Sequence, residues 1–214
     1  MKNGTEFEVH WSNNKYPFIA ILRGLTVEHA IPVCSGLIDK GIKYIEVPLN
    51  TDYAYEVIEL LIKEFGNQAT IGAGTVLKIE QVQKIKDIGG EIIISPNLNE
   101  DVVRKTKDLQ MISCPGVYTV TEAFNAIEYG ADILKFYPAD MITPKVLSAM
   151  LTVLPKKGLY FPVGGISADS NQLNAYIESG ANGFGIGGSL YKPTMSVEEV
   201  LKNADKLIDA WNNR

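Results

Sequence analysis

The sequence predicts one α/β domain, residues 1–214, in which eight parallel strands and eight helices form a (β/α)8, or TIM, barrel. Short β-rich runs alternate eight times with longer amphipathic stretches. The β-rich runs are apolar on both faces, as expected for parallel strands that are covered by helices. Glycine follows five of the amphipathic stretches, where a helix must turn into the next strand. Eight such units allow a parallel sheet to close into a barrel.

The predicted strands follow one another along the whole chain. They are residues 18–22, 44–48, 70–74, 91–94, 111–114, 133–136, 160–163 and 183–186. Apolar residues at helical spacing predict helices between them, for example over 27–40 and 53–65. The glycines that mark helix ends are Gly41, Gly66, Gly89, Gly130 and Gly180. The segment before Tyr16 is expected to be a short helix or arm that covers the barrel floor.

The charge balance points to small polar substrates. The formal net charge is −5 and the pI is near 5.1, and Lys and Arg are scattered. No basic surface for nucleic acid or an anionic membrane is therefore expected. Residues 1–15 are polar and lack the apolar core of a secretory signal, and no apolar stretch reaches the roughly 18 residues of a transmembrane helix. We expect a cytoplasmic protein.

Cysteine and histidine are too few for a conventional metal site. Cys34 and Cys114 lie far apart without CxxC spacing, so neither a disulfide framework nor a zinc ribbon is expected. His10 and His29 are the two histidines of the chain. They cannot form a multi-histidine cluster with the usual spacing, which weakens any zinc-dependent mechanism. Cys34 is expected to pack within a helix.

Two charged residues interrupt apolar strands, and both are candidates for catalysis. Lys135 lies within ILKFYP (133–138) and Glu46 within YIEVP (44–48). Burial of an unpaired ammonium favours the neutral amine, a nucleophile that forms Schiff bases with carbonyl compounds. Because side chains alternate along a strand, both residues can point into the barrel. They either neutralise one another there, or Glu46 serves the lysine as general acid and base, which we favour.

Chemistry in this fold occurs at the carboxyl ends of the strands, and two glycine clusters lie there. VGGIS (163–167) and GIGGS (185–189) follow the seventh and eighth strands. Backbone amides of such glycines can approach a phosphate closely, although tight turns alone would also explain them. The letters of residues 183–188 fit GxGxxG, but no βαβ unit with a ribose-binding acid follows, so a dinucleotide site is rejected. The candidate phosphate-binding residues are Gly164, Gly165, Gly187, Gly188 and Ser189.

Weaker candidates end the other strands. Thr75 can donate a hydroxyl to a substrate carboxylate, and Arg23 can supply charge, although both residue types are common at these places. Cys114 has no histidine partner and receives no catalytic role. Asn50 and Asn97 either line the mouth or serve turns, and the sequence does not separate these two roles.

Seven motifs together resemble the class I keto-deoxy-phosphosugar aldolases, the KDPG/KHG aldolase family. They are IAILRG (19–24), EVPLN (46–50), IGAGTV (71–76), SPN (95–97), CPG (114–116), LKFYP (134–138) and VGG (163–165). The resemblance implies a homotrimer of (β/α)8 barrels without metal or cofactor. It also implies a phosphorylated sugar acid as substrate and pyruvate as product, with Lys135 as the Schiff-base lysine and Glu46 as the proton shuttle.

Within the family, Asn50 and Val163 resemble galactonate-type rather than gluconate-type members, and the residue at Val163 is associated with the configuration of the fourth carbon. Carboxylate recognition is then expected from Arg23 and Thr75. The alternatives are a phosphogluconate or hydroxy-oxoglutarate aldolase. From other classes, a phosphosugar isomerase on the same barrel or a noncatalytic phosphosugar-binding protein would also use the phosphate site.

Overall fold

The computed structural model describes residue 11 and residues 13–214, and within this part strands and helices alternate as predicted. All strand pairs are parallel, which makes the protein an α/β fold. In chain order the elements are β1 (Phe18–Ile21), α1 (Val27–Asp39), β2 (Tyr44–Pro48), α2 (Ala54–Phe65), β3 (Thr70–Gly74), α3 (Ile79–Asp87), β4 (Ile92–Ile94), α4 (Glu100–Asp108), β5 (Ile112–Cys114), β6 (Gly116–Val117), α5 (Val120–Glu128), β7 (Ile133–Phe136), α6 (Pro144–Leu151), β8 (Leu159–Pro162), α7 (Ser170–Glu178), β9 (Phe184–Ile186) and α8 (Val197–Asn212).

The strands form two parallel sheets. The first has the order β5-β4-β3-β2-β1-β9, and the second has the order β6-β7-β8. Hydrogen bonds also run between them: Asp132 N donates to Ser113 O over 3.0 Å, and a parallel bridge joins Val163 to Gly185. The predicted fifth strand, 111–114, corresponds to β5; a further short strand, β6, was not predicted and follows Pro115, which has no amide hydrogen and interrupts the ladder.

Helix ends follow local chemistry closely. Four of the five predicted glycines, at 41, 89, 130 and 180, adopt φ between 89° and 104° just after a helix. Gly66 differs: its φ is −58°, so it caps α2 in a right-handed conformation. The end of α4 was not predicted, because Gln110 rather than glycine takes the left-handed conformation there, with φ 58°. None of the described helices has the length and apolar character needed to cross a membrane.

The strands separate two apolar layers, and this separation points the candidate residues inward. Ile45 and Val47 of β2 and Leu134 and Phe136 of β7 pack with the helices in the outer layer. The inner layer holds residues of the opposite parity: Ile19, Tyr44, Ile92, Ile94, Cys114, Ile133, Leu159, Phe161 and Val163. The predicted alternation is therefore confirmed, and Glu46 and Lys135 face the interior with the inner layer.

The predicted N-terminal helix or arm lies largely outside the described residues. Trp11, which is described, is 3% exposed and packs against Tyr44 and Phe161, with ring centroids 4.8 and 4.6 Å away. Its indole Nε1 donates to Asn182 O over 2.9 Å. These contacts place Trp11 at the amino ends of β2, β8 and β9, which is the end opposite to the candidate site.

Candidate active site

A cavity of about 670 Å³ opens at the carboxyl ends of the strands. It brings together all ten residues that the sequence predicted for the site. These are Arg23, Glu46, Thr75, Lys135, Val163, Gly164, Gly165, Gly187, Gly188 and Ser189. Asn50, Asn97 and Cys114 are not among the lining residues, whereas Pro96 is.

The carboxylate of Glu46 lies at the buried end of this cavity. Glu46 is 2% exposed, and its Oε2 accepts no hydrogen bond from the described protein groups. Gly74 on the neighbouring strand makes room for it, since a Cβ there would overlap with the carboxylate. Burial raises the pKa of Glu46 from 4.5 to about 7, against the opposing effect of the Lys135 and Arg23 charges. Both protonation states are therefore accessible near neutral pH.

Lys135 enters the same space from β7. It is 8% exposed and lies in register between Gly116 and Phe161 of the adjoining strands. Its Nζ is 5.0 Å from the ring centroid of Tyr137, in a cation–π arrangement. In the described part of the chain no ion pair within 4.0 Å joins Lys135 to Glu46. The two groups therefore form no direct ion pair, although the Lys135 charge still lowers the pKa of Glu46.

Cys114 is buried near these two residues in the inner layer. Burial raises the pKa of Cys114 to about 12, and the Lys135 charge acts in the opposite direction. A thiol with such a pKa stays protonated at neutral pH and is a poor nucleophile. This environment agrees with the prediction that Cys114 has no catalytic role. Cys34 is also buried, within α1 as predicted.

Arg23 is exposed at the rim, where its Nη1 donates a hydrogen bond to Asn50 Oδ1. The sequence left open whether Asn50 serves a turn or the mouth; it lies in the turn after β2, does not line the cavity itself, and contacts the rim cation Arg23. Thr75 follows β3 with φ 56°, a left-handed conformation that costs a β-branched residue about 1–3 kcal/mol. Asn97 is exposed, and its Nδ2 donates within its own turn to Leu98 O over 3.4 Å.

The glycine loops after β8 and β9 form another part of the rim, and the loop after β9 lies beside the Arg23 loop because β9 pairs with β1. Gly164 and Gly165 have φ of 92° and 75°, which only glycine adopts without strain. Ser189 Oγ donates to Ile166 O over 2.7 Å and so ties the loop after β9 to the loop after β8. The buried side chain of Val163 occupies the space beside Gly185, where a Cβ would meet it. Residues of both loops thus lie side by side in the lining of the cavity.

Sequence reasoning missed several residues at this rim. Tyr137, Lys192 and Pro193 line the cavity, and the Asp140 carboxylate lies where a Cβ on Gly165 would stand. Tyr137 was visible within the LKFYP motif, whereas the other three lie in loops with no distinguishing pattern. Their position depends on tertiary contacts between separate loops.

A comparison with protein families tests the resemblance. The family model described as KDPG and KHG aldolase matches residues 11–207. The chain belongs to this aldolase family. Its members are aldolases, so the protein is a lyase, and the resemblance found in the sequence motifs is confirmed.

Individual relatives of this aldolase cover nearly the whole chain. A 2-dehydro-3-deoxy-6-phosphogalactonate aldolase from Escherichia coli (strain K12) is 38% identical over 197 residues, which are 92% of this chain and 95% of that protein. A probable 2-dehydro-3-deoxy-6-phosphogalactonate aldolase from Rhizobium meliloti (strain 1021) is 40% identical over 196 residues, 92% of each chain. A solved structure described as native KDPGal has a TM-score of 0.90 at 38% identity and covers 93% of this chain and 96% of that chain.

Proposed function

We propose that this aldolase cleaves 2-dehydro-3-deoxy-6-phosphogalactonate to pyruvate and glyceraldehyde 3-phosphate through a Schiff base on Lys135. The observation that carries the proposal is the pairing of two buried charged groups in one cavity. Lys135 and Glu46 share the buried end without an ion pair. A pair retained only for packing is replaceable by apolar residues without loss of stability, so its presence favours chemistry.

The first half of the reaction forms the imine. The amine of Lys135 attacks the C2 ketone of the substrate and gives a carbinolamine. Glu46, in its protonated state, donates a proton to the C2 hydroxyl, which leaves as water, and the product is a protonated imine. A pKa of about 7 suits this role, because Glu46 must give a proton here and take one in the next step.

The second half breaks the carbon–carbon bond. Glu46, now a carboxylate, accepts the proton of the C4 hydroxyl directly or through a water molecule. The C4–O bond becomes a carbonyl, the C3–C4 bond breaks, and its electron pair moves into the imine to give an enamine. Glyceraldehyde 3-phosphate leaves. Protonation of the enamine at C3 and hydrolysis of the resulting imine then release pyruvate and restore Lys135.

Binding roles follow from the positions of the remaining residues. Arg23 and Thr75 orient the carboxylate end, and the hydrogen bond from Arg23 to Asn50 holds the guanidinium in place. The backbone around Gly164, Gly165, Gly187, Gly188 and Ser189 receives the distal phosphate. Val163 lines the cavity directly before Gly164 and is proposed to distinguish configurations at C4.

The galacto configuration is supported by Asn50, Val163 and the names of the two relatives described above. Cleavage rates on the two C4 epimers test it. A higher kcat/KM for the galactonate form is expected, and a clear preference for 2-dehydro-3-deoxy-6-phosphogluconate would overturn the assignment. Activity on 4-hydroxy-2-oxoglutarate belongs in the same comparison.

Trapping the imine tests the mechanism itself. The protein is incubated with pyruvate and reduced with borohydride, and the adduct is located by peptide mass. Modification of Lys135 is expected. An unmodified Lys135, under conditions that inactivate a control class I aldolase, would instead favour an isomerase or a noncatalytic binding protein, since neither needs an imine.

We also propose that the two parallel sheets close into one (β/α)8 barrel. The bonds from Asp132 to Ser113 and between Val163 and Gly185 support this at the two junctions. A cytoplasmic homotrimer is proposed from the family resemblance. Light scattering tests the trimer, since a monomer mass in solution would exclude it, and cell fractionation tests the location.

A further inference from the structure

Lys192 brings a positive charge to the glycine end of the cavity. It lies in the loop between β9 and α8, lines the cavity and is exposed. Its Cε lies 3.9 Å from the position that a Cβ on Gly188 would occupy. The side chain therefore runs alongside the backbone amides of the proposed phosphate site. In the described part of the chain it forms no ion pair within 4.0 Å.

The loop that carries Lys192 is fixed on both sides of the lysine. Tyr191 is buried, and its hydroxyl donates to Gly24 O over 3.3 Å. The Pro193 ring fills the space beside Gly24, where a Cβ would overlap with it. Asn203 Nδ2 donates to Leu190 O over 3.3 Å. The backbone thus holds its place before a ligand arrives, and only the lysine side chain needs to be ordered.

The other charged side chains in and near the cavity do not supply a free cation beside the glycine loops. Arg23 is bonded to Asn50, on the side of β2, and Lys135 is buried at the inner end. Asp140 places a carboxylate against Gly165, where it would repel an approaching phosphate. Among the described residues that line the cavity, Lys192 is the remaining cationic side chain.

We propose that Lys192 is a specificity-determining residue, whose ammonium binds the distal phosphate and makes the enzyme prefer phosphorylated over unphosphorylated sugar acids. The proposal rests on the function proposed above and deepens it. The substrate carries one anion at each end, and the cavity offers two exposed cations: the Arg23 side chain is bonded to Asn50 after β2, and Lys192 lies beside Gly188 after β9. A flexible exposed ammonium suits a phosphate as a point charge.

The test compares Lys192→Met with Lys202→Met, which removes the same charge from the exposed face of α8. Both variants are assayed on 2-dehydro-3-deoxy-6-phosphogalactonate and on the same sugar acid without phosphate. For Lys192→Met, kcat/KM on the phosphorylated substrate should fall about 10- to 100-fold, mainly through KM, the range for one hydrogen bond to a charged group. Activity on the unphosphorylated acid, and both activities of Lys202→Met, should stay within about twofold of the wild type.

Borohydride trapping with pyruvate separates this proposal from the function on which it rests. If Lys192→Met traps pyruvate like the wild type and loses activity only on the phosphorylated acid, Lys192 acts as proposed. If Lys192→Met keeps full kcat/KM on the phosphorylated acid, the role of Lys192 is refuted while the aldolase mechanism stands. The same holds if its kcat/KM falls equally on the phosphorylated and the unphosphorylated acid. A wild type that traps no pyruvate would refute the aldolase mechanism itself.

Discussion

The inner end and the rim of the cavity hold their charges in different ways. At the inner end Glu46 and Lys135 are buried, and removal from water raises the pKa of Glu46 to about 7 against the opposing charges of Lys135 and Arg23. At the rim Arg23 and Lys192 are exposed, so water and salt screen them. Burial therefore creates reactivity at one end, and exposed charge serves binding at the other. Substitutions at the inner end should act on kcat, and those at the rim on KM.

Lys135→Met is expected to have the largest effect. It removes the nucleophile, so cleavage should fall by roughly 10³-fold or more, measured as pyruvate release. The fold should persist, because an apolar side chain in place of a buried charge is often neutral or stabilising. Thermal unfolding checks this, with Lys202→Met as the matched control. Activity of Lys135→Met near the wild-type level would show that the inner end of the cavity does not carry the catalytic chemistry.

Glu46→Gln is expected to have the second largest effect on activity. The amide keeps the size of the carboxylate but cannot shuttle protons, so kcat should fall by about 10²- to 10⁴-fold while the borohydride adduct with pyruvate still forms. KM should change little. Full turnover by this variant would remove Glu46 from the mechanism.

The same substitution should change how stability depends on pH. The folded pKa of Glu46 lies above its value of 4.5 in the unfolded chain, so the folded protein binds the proton more tightly. Its stabilising contribution is complete below pH 4.5 and is lost as the pH rises through about 7. At 1.36 kcal/mol for each pKa unit, the wild type should lose about 3 kcal/mol relative to Glu46→Gln between pH 4.5 and 8. Urea unfolding at both pH values measures it, and parallel curves would contradict the raised pKa.

Asn50→Ala should have the smallest effect. It frees Arg23 at the exposed rim, so KM for the sugar acid should rise about 3- to 10-fold with little change in kcat. Asn97→Ala, in an exposed turn outside the cavity, is the control and should match the wild type. A fall in kcat without a change in KM would show that the rim also acts on the chemistry.

The two ends also differ in how far the sequence reveals them. Glu46 and Lys135 stand out because a charge interrupts an apolar strand, and the period of two fixes the face on which it lies. Lys192 and Asp140 lie in loops where charge is ordinary, and their place depends on contacts between distant loops. The succession of strands and helices along the chain was predicted from the alternation of β-rich and amphipathic stretches. The left-handed turn at Gln110 was not predicted, because it lacks the usual glycine.

The glycines on the inner face of β3 limit which positions of this enzyme can be changed to alter its substrate. Gly72 and Gly74 turn no side chain inward, and the Glu46 carboxylate takes the space that a side chain at Gly74 would fill. Any larger residue at Gly74 would displace the acid, and one at Gly72 would strike the backbone of Ile92. A mutagenesis library aimed at new sugars should therefore keep these two codons fixed. Diversity belongs at Val163 and Tyr137, on the walls that carry side chains.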